Sequence, residues 1–151
     1  MNTDPVLEAI DELINLYGTF CSITRTPEWI FFEPEKAEPL PDQGWKIHVS
    51  ATLPEARDIL RTVGPSLIAR KVSWKVAAGE AQYVKLLLAP GQIVQTGKFI
   101  TIYSRSEANA RAIADWLNMA TRTFAGPVIP SDHRYLVRPE KVGTWRSRKA
   151  A

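Results

Sequence analysis

The chain has 151 residues, 45% of them apolar, which fits one domain with a sizeable buried core. Its single cysteine and two histidines exclude a disulfide framework and a cysteine-rich zinc site. Residues 1–44 hold nine carboxylates and two cations, whereas the rest of the chain holds seven carboxylates and seventeen cations. This basic second part attracts anions, such as a phosphate group, an acidic peptide or nucleic acid.

Neither a signal peptide nor a membrane helix is evident. The first 18 residues are acidic where a signal peptide is basic, and no apolar stretch approaches the roughly 20 residues that a membrane helix needs. A lone thiol fits a reducing compartment. We therefore expect a cytoplasmic protein without a membrane partner.

The opening segment is predicted to be a helix. An apolar residue recurs every three or four positions, Thr3 or Asp4 can cap the helix, Pro5 suits its first position and Gly18 can end it. Two short strands, FCSITR and WIFF, follow, and the proline-rich EPEKAEPLPDQG is expected to be a loop. We predict that residues 1–43 form an accessory layer of the same domain. An alternative is that WIFF accepts a peptide strand at a sheet edge.

The rest of the chain alternates strands with helices. WKIHVSA is a predicted strand, and Thr52-x-x-Glu55 is predicted to be a capping box for a helix over 53–63. Gly64-Pro65 should break that helix. The strands KVSWKVA and KFITIYS follow, with a stretch between them that has no clear periodicity.

The last elements complete the predicted fold. Ser106 should cap a long helix that Gly126-Pro127 ends, and HRYLVR is a further strand. The pattern predicts an α+β fold, a small and mostly antiparallel or mixed sheet with helices packed on one face. Residues 44–140 would form its core, and residues 141–151 a basic, frayed tail.

In three predicted strands, alternation separates an apolar face from a polar, cationic face. If these strands are neighbours in one sheet, their polar faces form one site with several positive charges and one imidazole. The residues of these faces are Lys46, His48 and Ser50, then Ser73 and Lys75, then Thr101, Tyr103 and Arg105.

Such a site suits a doubly charged oxyanion and a proton transfer. Lysines supply point charges, and an arginine offers a fork for two phosphate oxygens. A lysine among other cations, partly desolvated, should have a lowered pKa and serve as a base, whereas a histidine beside a phosphate should keep its acid form. These groups suit the β-elimination of phosphate from phosphoserine or phosphothreonine. In that reaction a base removes the Cα proton and an acid protonates the departing oxygen, while cations hold the phosphate.

Three segments carry a family resemblance. GWKIHVSAT (44–52), GKFITIY (97–103) and SDHR (131–134) resemble the N-terminal lyase domain of class III lanthipeptide synthetases, a family related to bacterial effector phosphothreonine lyases. The resemblance covers roughly residues 44–138. Its most specific part is the Lys-x-His strand.

The resemblance implies a role for individual residues and implies no cofactor or metal ion. His48 would be the general acid, Lys75 the base, and Lys46 a phosphate contact, with Tyr103 near the leaving group. The further phosphate-binding candidates are Arg134, Lys98, Arg105 and Arg138.

One family feature is missing. The family's phosphate-binding arginine between the second strand and Gly97 has no counterpart, because this stretch reads AAGEAQYVKLLLAPGQIVQT, with Lys85 as its only cation. Two alternatives are open: Lys98 or Arg138 takes the place of this arginine, or the activity is weak.

Ordinary structural roles are open alternatives for several of these residues. His48 taken alone suits a structural histidine, and Lys75 suits a lysine that guards a sheet edge. Arg134 and Arg138 also suit a solvated basic face. Cys21 lies in an apolar strand and is expected to be a buried, unreactive thiol.

Two functions compete. The first is a lyase that forms dehydroalanine or dehydrobutyrine in a phosphorylated precursor peptide during lanthipeptide biosynthesis. A separate kinase would phosphorylate the peptide, because the chain has no glycine-rich nucleotide loop, and a cyclase would act afterwards. The lyase would be either a stand-alone subunit or one domain of a larger protein. The alternative is a catalytically degenerate module of the same fold that binds a phosphopeptide or leader peptide. No nucleic-acid partner is expected, since no motif of that class is present.

Overall fold

The computed structural model describes residues 3–36, 43–88, 97–126, 133–134 and 142–148. The elements in these ranges are α1 (Pro5–Tyr17), β1 (Cys21–Arg25), β2 (Trp29–Pro34), β3 (Gln43–Val49), α2 (Leu53–Ala69), β4 (Ser73–Ala77), α3 (Glu80–Leu88), β5 (Ile100–Tyr103), α4 (Glu107–Ala120), β6 (His133–Arg134) and β7 (Val142–Arg148). Among the described residues, none of the helices has the length and apolar character needed to span a bilayer.

The strands form one sheet in the order β1-β2-β4-β5-β3-β7-β6, and every described pairing is antiparallel. The helices lie against one face, where their apolar side chains join those of the strands in a single buried cluster. This confirms the predicted α+β fold with helices on one face.

The core is built from the apolar faces of the strands. Phe32, Trp74, Ile102 and Ile47 lie side by side in one row across β2, β4, β5 and β3, and each is at most 1% exposed. The rings of Phe32 and Trp74 stack with their centroids 4.3 Å apart. Because neighbouring residues on a strand point to opposite faces, the polar residues between these positions lie on the face away from the helices.

Two segments are placed differently from the sequence expectations. β2 lies between β1 and β4, so WIFF is not at a sheet edge, and the suggested pairing of a peptide with it is wrong. Val142–Arg148, expected to be a frayed tail, forms β7 and pairs with β3 along seven residue pairs. The backbone N–H and C=O groups of β3 thereby gain partners on both sides, which favours the strand over a solvated tail.

Helix α2 continues through Gly64-Pro65, where the sequence predicts a break. Val63 and Leu67, on either side of this pair, are fully buried, so tertiary packing offsets the cost of a proline inside the helix. Gly64 serves the packing of α2 on α1: a Cβ atom there would lie 2.7 Å from Leu13 Cδ1. The glycine thus marks a close helix contact and not a helix end.

Two further details depart from the sequence expectations. Helix α3 occupies part of the stretch that lacked clear periodicity, and it buries Tyr83 and Leu86. Thr52 is the N-cap of α2 but does not form the predicted capping box. Its hydroxyl donates instead to the Glu55 carboxylate at 3.1 Å, and that carboxylate also accepts from the Ala125 backbone N–H at 3.2 Å.

Asp4 caps two helices at once. Its carboxylate accepts hydrogen bonds from the backbone N–H of Leu7 in α1 at 2.9 Å and from that of Glu80, the first residue of α3, at 2.9 and 2.8 Å. Asp4→Ala should therefore lower the free energy of unfolding by about 2 kcal/mol, roughly two ordinary caps, as measured by urea denaturation.

Asp11→Ala is the matched control for that change. Asp11 lies on the same helix and forms an ion pair with the exposed Arg25 at 3.8 Å. Exposed ion pairs of this kind contribute about 0–1 kcal/mol. Equal destabilisation by the two variants would contradict the double-cap interpretation of Asp4.

Candidate active site

Strand β5 brings the two predicted proton-transfer residues to one level of the sheet. Thr101 of β5 pairs with Lys75 of β4 on one side and with His48 of β3 on the other. With strands about 4.8 Å apart, the Cα atoms of Lys75 and His48 are separated by roughly 10 Å. Both residues lie on the face away from the helices.

Lys75 lies in a partly desolvated, cationic environment. Its Nζ atom is 4.1 Å from the ring centroid of Trp29 and 5.5 Å from that of Phe31. Burial, followed by the charges of Lys46 and Lys98, lowers the pKa of Lys75 to about 8. β4 is an interior strand, so the alternative of an edge-guarding lysine is wrong. At neutral pH this lysine therefore has an appreciable neutral fraction.

Lys46 and Tyr103 face each other two residues along their strands from His48 and Thr101. They are directly paired between β3 and β5, and Lys46 Nζ is 5.5 Å from the Tyr103 ring centroid. Burial lowers the pKa of Lys46. Burial also raises the pKa of Tyr103, and the Glu33 carboxylate raises it further. Burial thus disfavours the charged form of both side chains.

His48 is almost completely enclosed, with 2% of its surface exposed. Thr101 is its neighbour on β5, and Gly143, which has no side chain, is its neighbour on β7. Thr101 and Ser50, which lies two residues farther along the chain from His48, are both buried hydroxyl residues. The imidazole therefore lies at the floor of the polar face and not on a solvated surface.

Lys98 is brought into the same site although it precedes β5. It is 3% exposed, and its charge is close enough to lower the pKa of Lys75. Three lysine side chains, Lys46, Lys75 and Lys98, thus share one electrostatic environment. Because two of them repel a proton on the third, the arrangement favours an anion and a neutral amine together.

Two of the three arginine candidates lie within the described residues. Arg105 is exposed and lines a small pocket with Ser73 and Tyr103, two residues of the polar face. The backbone of Arg134 pairs with Gly143, which pairs in turn with His48, so Arg134 occupies the same row of the sheet two strands away. Arg138 lies outside the described residues.

Sequence similarity identifies the family of this chain. Residues 18–139 match the family model described as RamC, N-terminal domain. The chain belongs to this family. Over 107 residues, 71% of the chain, it is also 31% identical to the probable SapB synthase of Streptomyces coelicolor, and this match covers 11% of that protein. The chain thus spans about a tenth of the length of that relative, and the resemblance predicted from its motifs is confirmed.

Several solved structures share the fold of this chain. The phosphothreonine lyase OspF from Shigella flexneri superposes with a TM-score of 0.65 at 13% identity, over 89% of this chain and 75% of that one. The phosphothreonine lyase SpvC from Salmonella gives 0.65 at 14% identity, over 96% and 77%. An effector protein from Pseudomonas syringae gives 0.64 at 10% identity, over 98% and 65%. At these identities the likeness shows a common fold.

Trp29 and Phe31 were missed by the sequence analysis. The alternation in WIFF already places them on one face of β2, but only the pairing of β2 with β4 puts that face beside Lys75. Cys21, in contrast, lies where expected. It is buried, its Sγ donates to the Tyr17 carbonyl at 3.6 Å, and burial raises the pKa of its thiol.

Proposed function

We propose that this protein is a phosphoserine/phosphothreonine lyase that converts the phosphorylated residue of a peptide into dehydroalanine or dehydrobutyrine and inorganic phosphate. The observation that carries the proposal is the pairing of Lys75 and His48 with Thr101 between them, so that a lysine of lowered pKa and an enclosed imidazole flank one position. Two carbon–oxygen lyases, OspF and SpvC, share the fold.

Lys75 acts as the general base in this proposal. Its neutral amine removes the Cα proton of the phosphorylated residue and becomes an ammonium ion. The electron pair of the broken C–H bond forms the Cα=Cβ double bond as the Cβ–O bond breaks. Trp29 and Phe31 exclude water on one side of the amine, which keeps the neutral form available.

His48 acts as the general acid. Its imidazolium donates a proton to the bridging oxygen as that oxygen leaves with the phosphate group. A phosphate that departs protonated carries less charge, which lowers the barrier for Cβ–O cleavage. Because they flank Thr101, the acid and the base lie on opposite sides of the substrate. The base reaches the proton on Cα, and the acid reaches the oxygen bonded to Cβ.

The phosphate is bound by the remaining cations. Lys46 and Lys98 contribute the charge nearest to Lys75, and Tyr103 contributes a phenolic donor. Arg105 and Arg134 are further candidates for contacts to the phosphate. Lys98 takes the place of the family arginine that this chain lacks, because it is the buried cation that reaches the same centre. The proposed chemistry requires neither a cofactor nor a metal ion.

The biological setting is proposed from the family. The Streptomyces coelicolor relative is, by its name, a probable synthase of SapB, and this domain corresponds to about a tenth of it. We assign the domain to lanthipeptide biosynthesis in the cytoplasm, where its substrate is a phosphorylated precursor peptide. A kinase must supply that phosphate, and a cyclase consumes the dehydrated product.

The proposal is tested with a synthetic peptide that carries one phosphoserine or phosphothreonine. After incubation with the protein, without added metal or nucleotide, mass spectrometry should show the loss of one phosphoric acid, and free phosphate should appear in equal amount. A peptide that binds but stays intact would favour the degenerate binding module. The unphosphorylated peptide is the control for binding through the phosphate.

The pH dependence of elimination should report Lys75. The amine must be neutral to act as a base and the imidazole must be protonated to act as an acid, so both groups shape the pH profile of kcat/KM. The pKa of Lys75 is about 8, so the slope of log kcat/KM against pH should fall by one near pH 8, where the amine becomes fully neutral. At pH 7 roughly a tenth of the amine is neutral. The substrate phosphate titrates near pH 6, about two units lower, so the two ionisations can be separated. A profile whose slope stays constant through pH 8 would contradict the role of Lys75.

A further inference from the structure

Lys98 belongs to a short segment that is tied to the ends of two strands. The next residue, Phe99, donates its backbone N–H to the Val49 carbonyl at 3.0 Å and accepts from the Ala77 N–H at 3.0 Å. The preceding residue, Gly97, has φ +79°, a conformation that other residues rarely adopt. The side chain of Lys98 is thus directed by a turn on one side and by β3 and β4 on the other.

Tyr83 of α3 holds this turn from the helix layer. It is fully buried, and its hydroxyl donates to the Ala51 carbonyl at 2.7 Å, with the Gly97 carbonyl at 3.4 Å as a second acceptor. The same oxygen accepts from the Ala51 N–H at 2.9 Å. The Tyr83 ring also contacts the Phe99 ring, with 4.7 Å between centroids. One side chain therefore touches the residues on both sides of Lys98.

The phenol keeps this donor role over the working pH range. Burial raises the pKa of Tyr83 to about 12, although the hydrogen bond with Ala51 acts in the opposite direction. The hydroxyl therefore stays protonated at every pH at which the protein is expected to work. A buried hydroxyl with three backbone contacts is costly to remove, because each backbone group would lose its partner.

We infer that Tyr83 is a positioning residue that fixes the Gly97 turn and so places the charge of Lys98 beside Lys75. The catalytic meaning of this inference rests on the proposed lyase function, but the placement of the charge does not. Tyr83 acts through Lys98, and it touches neither the substrate nor the reacting atoms.

The test uses the titration of Lys75, because a purely structural role of Tyr83 would not change it. Its pKa is followed by NMR of the side-chain carbons in the wild type, Lys98→Met, Tyr83→Phe and the double variant. Lys98→Met should raise the pKa of Lys75, since a repelling charge is removed. Tyr83→Phe should raise it in the same direction and add nothing in the Lys98→Met background. Tyr17→Phe, at the end of α1, is the matched control and should leave it unchanged.

Two results would overturn the inference. One is an unchanged pKa of Lys75 in Tyr83→Phe while Lys98→Met raises it, and the other is an unchanged pKa in Lys98→Met itself. Should Tyr83→Phe fail to fold, Gly97→Ala disturbs the same turn from the backbone and should give the same upward shift. Phosphopeptide elimination is measured on the wild type in parallel. Its absence would refute the lyase function and leave the titration result standing.

Discussion

Replacing Lys75 by methionine should lower the rate of phosphate elimination by about a thousandfold without unfolding the protein. General bases typically contribute 10²–10⁴-fold to a rate, and methionine keeps the linear stem while it removes the amine. Since Lys75 is partly desolvated and repelled by Lys46 and Lys98, the variant should be at least as stable as the wild type in urea. Initial rates on the phosphopeptide and the midpoint of unfolding check the two statements together.

Two further variants sharpen the assignment. Lys75→Arg keeps a positive charge but should also be inactive, because a guanidinium does not lose its proton at usable pH. Lys85→Met, which alters an exposed lysine of α3, should retain full activity. Substantial elimination by Lys75→Met would show that another group removes the Cα proton.

The second large effect is expected at His48. His48→Gln removes the proton donor but keeps a polar side chain of similar reach, and kcat should fall by roughly 10²–10⁴-fold. Binding of the intact phosphopeptide should persist, because Lys46 and Lys98 still supply the charge. Isothermal titration of the peptide and single-turnover rates would separate these two quantities.

A chemical rescue distinguishes an acid from a packing residue. His48→Ala leaves a space at the enclosed floor of the site, and added imidazole should restore part of its activity in a concentration-dependent way. Recovery is expected at pH values where imidazole is protonated, near and below its pKa. An active His48→Gln variant, or a weakening of binding equal to the loss of rate, would assign His48 to structure or to phosphate binding instead.

Much of the site could be predicted from short-range patterns. Strand alternation is a property of the backbone, so it is enough to place Lys46 on one face with His48, and Tyr103 on one face with Thr101. The Lys-x-His strand also carried the family resemblance, which the match over residues 18–139 confirms. Helix α2 shows the limit of such rules, because Pro65 stops a helix only when packing does not offset its cost.

The sequence by itself determined which residues share a face, that the fold is α+β and which family the chain belongs to, because these depend on local periodicity and motif spacing. Only the tertiary structure decided that Lys75 and His48 flank Thr101, that Trp29 and Phe31 enclose the amine, and that Lys98 reaches the same centre. The physical reason is that strand order and register are set by contacts between distant segments, and the pKa of Lys75 depends on the desolvation and charges that those contacts create.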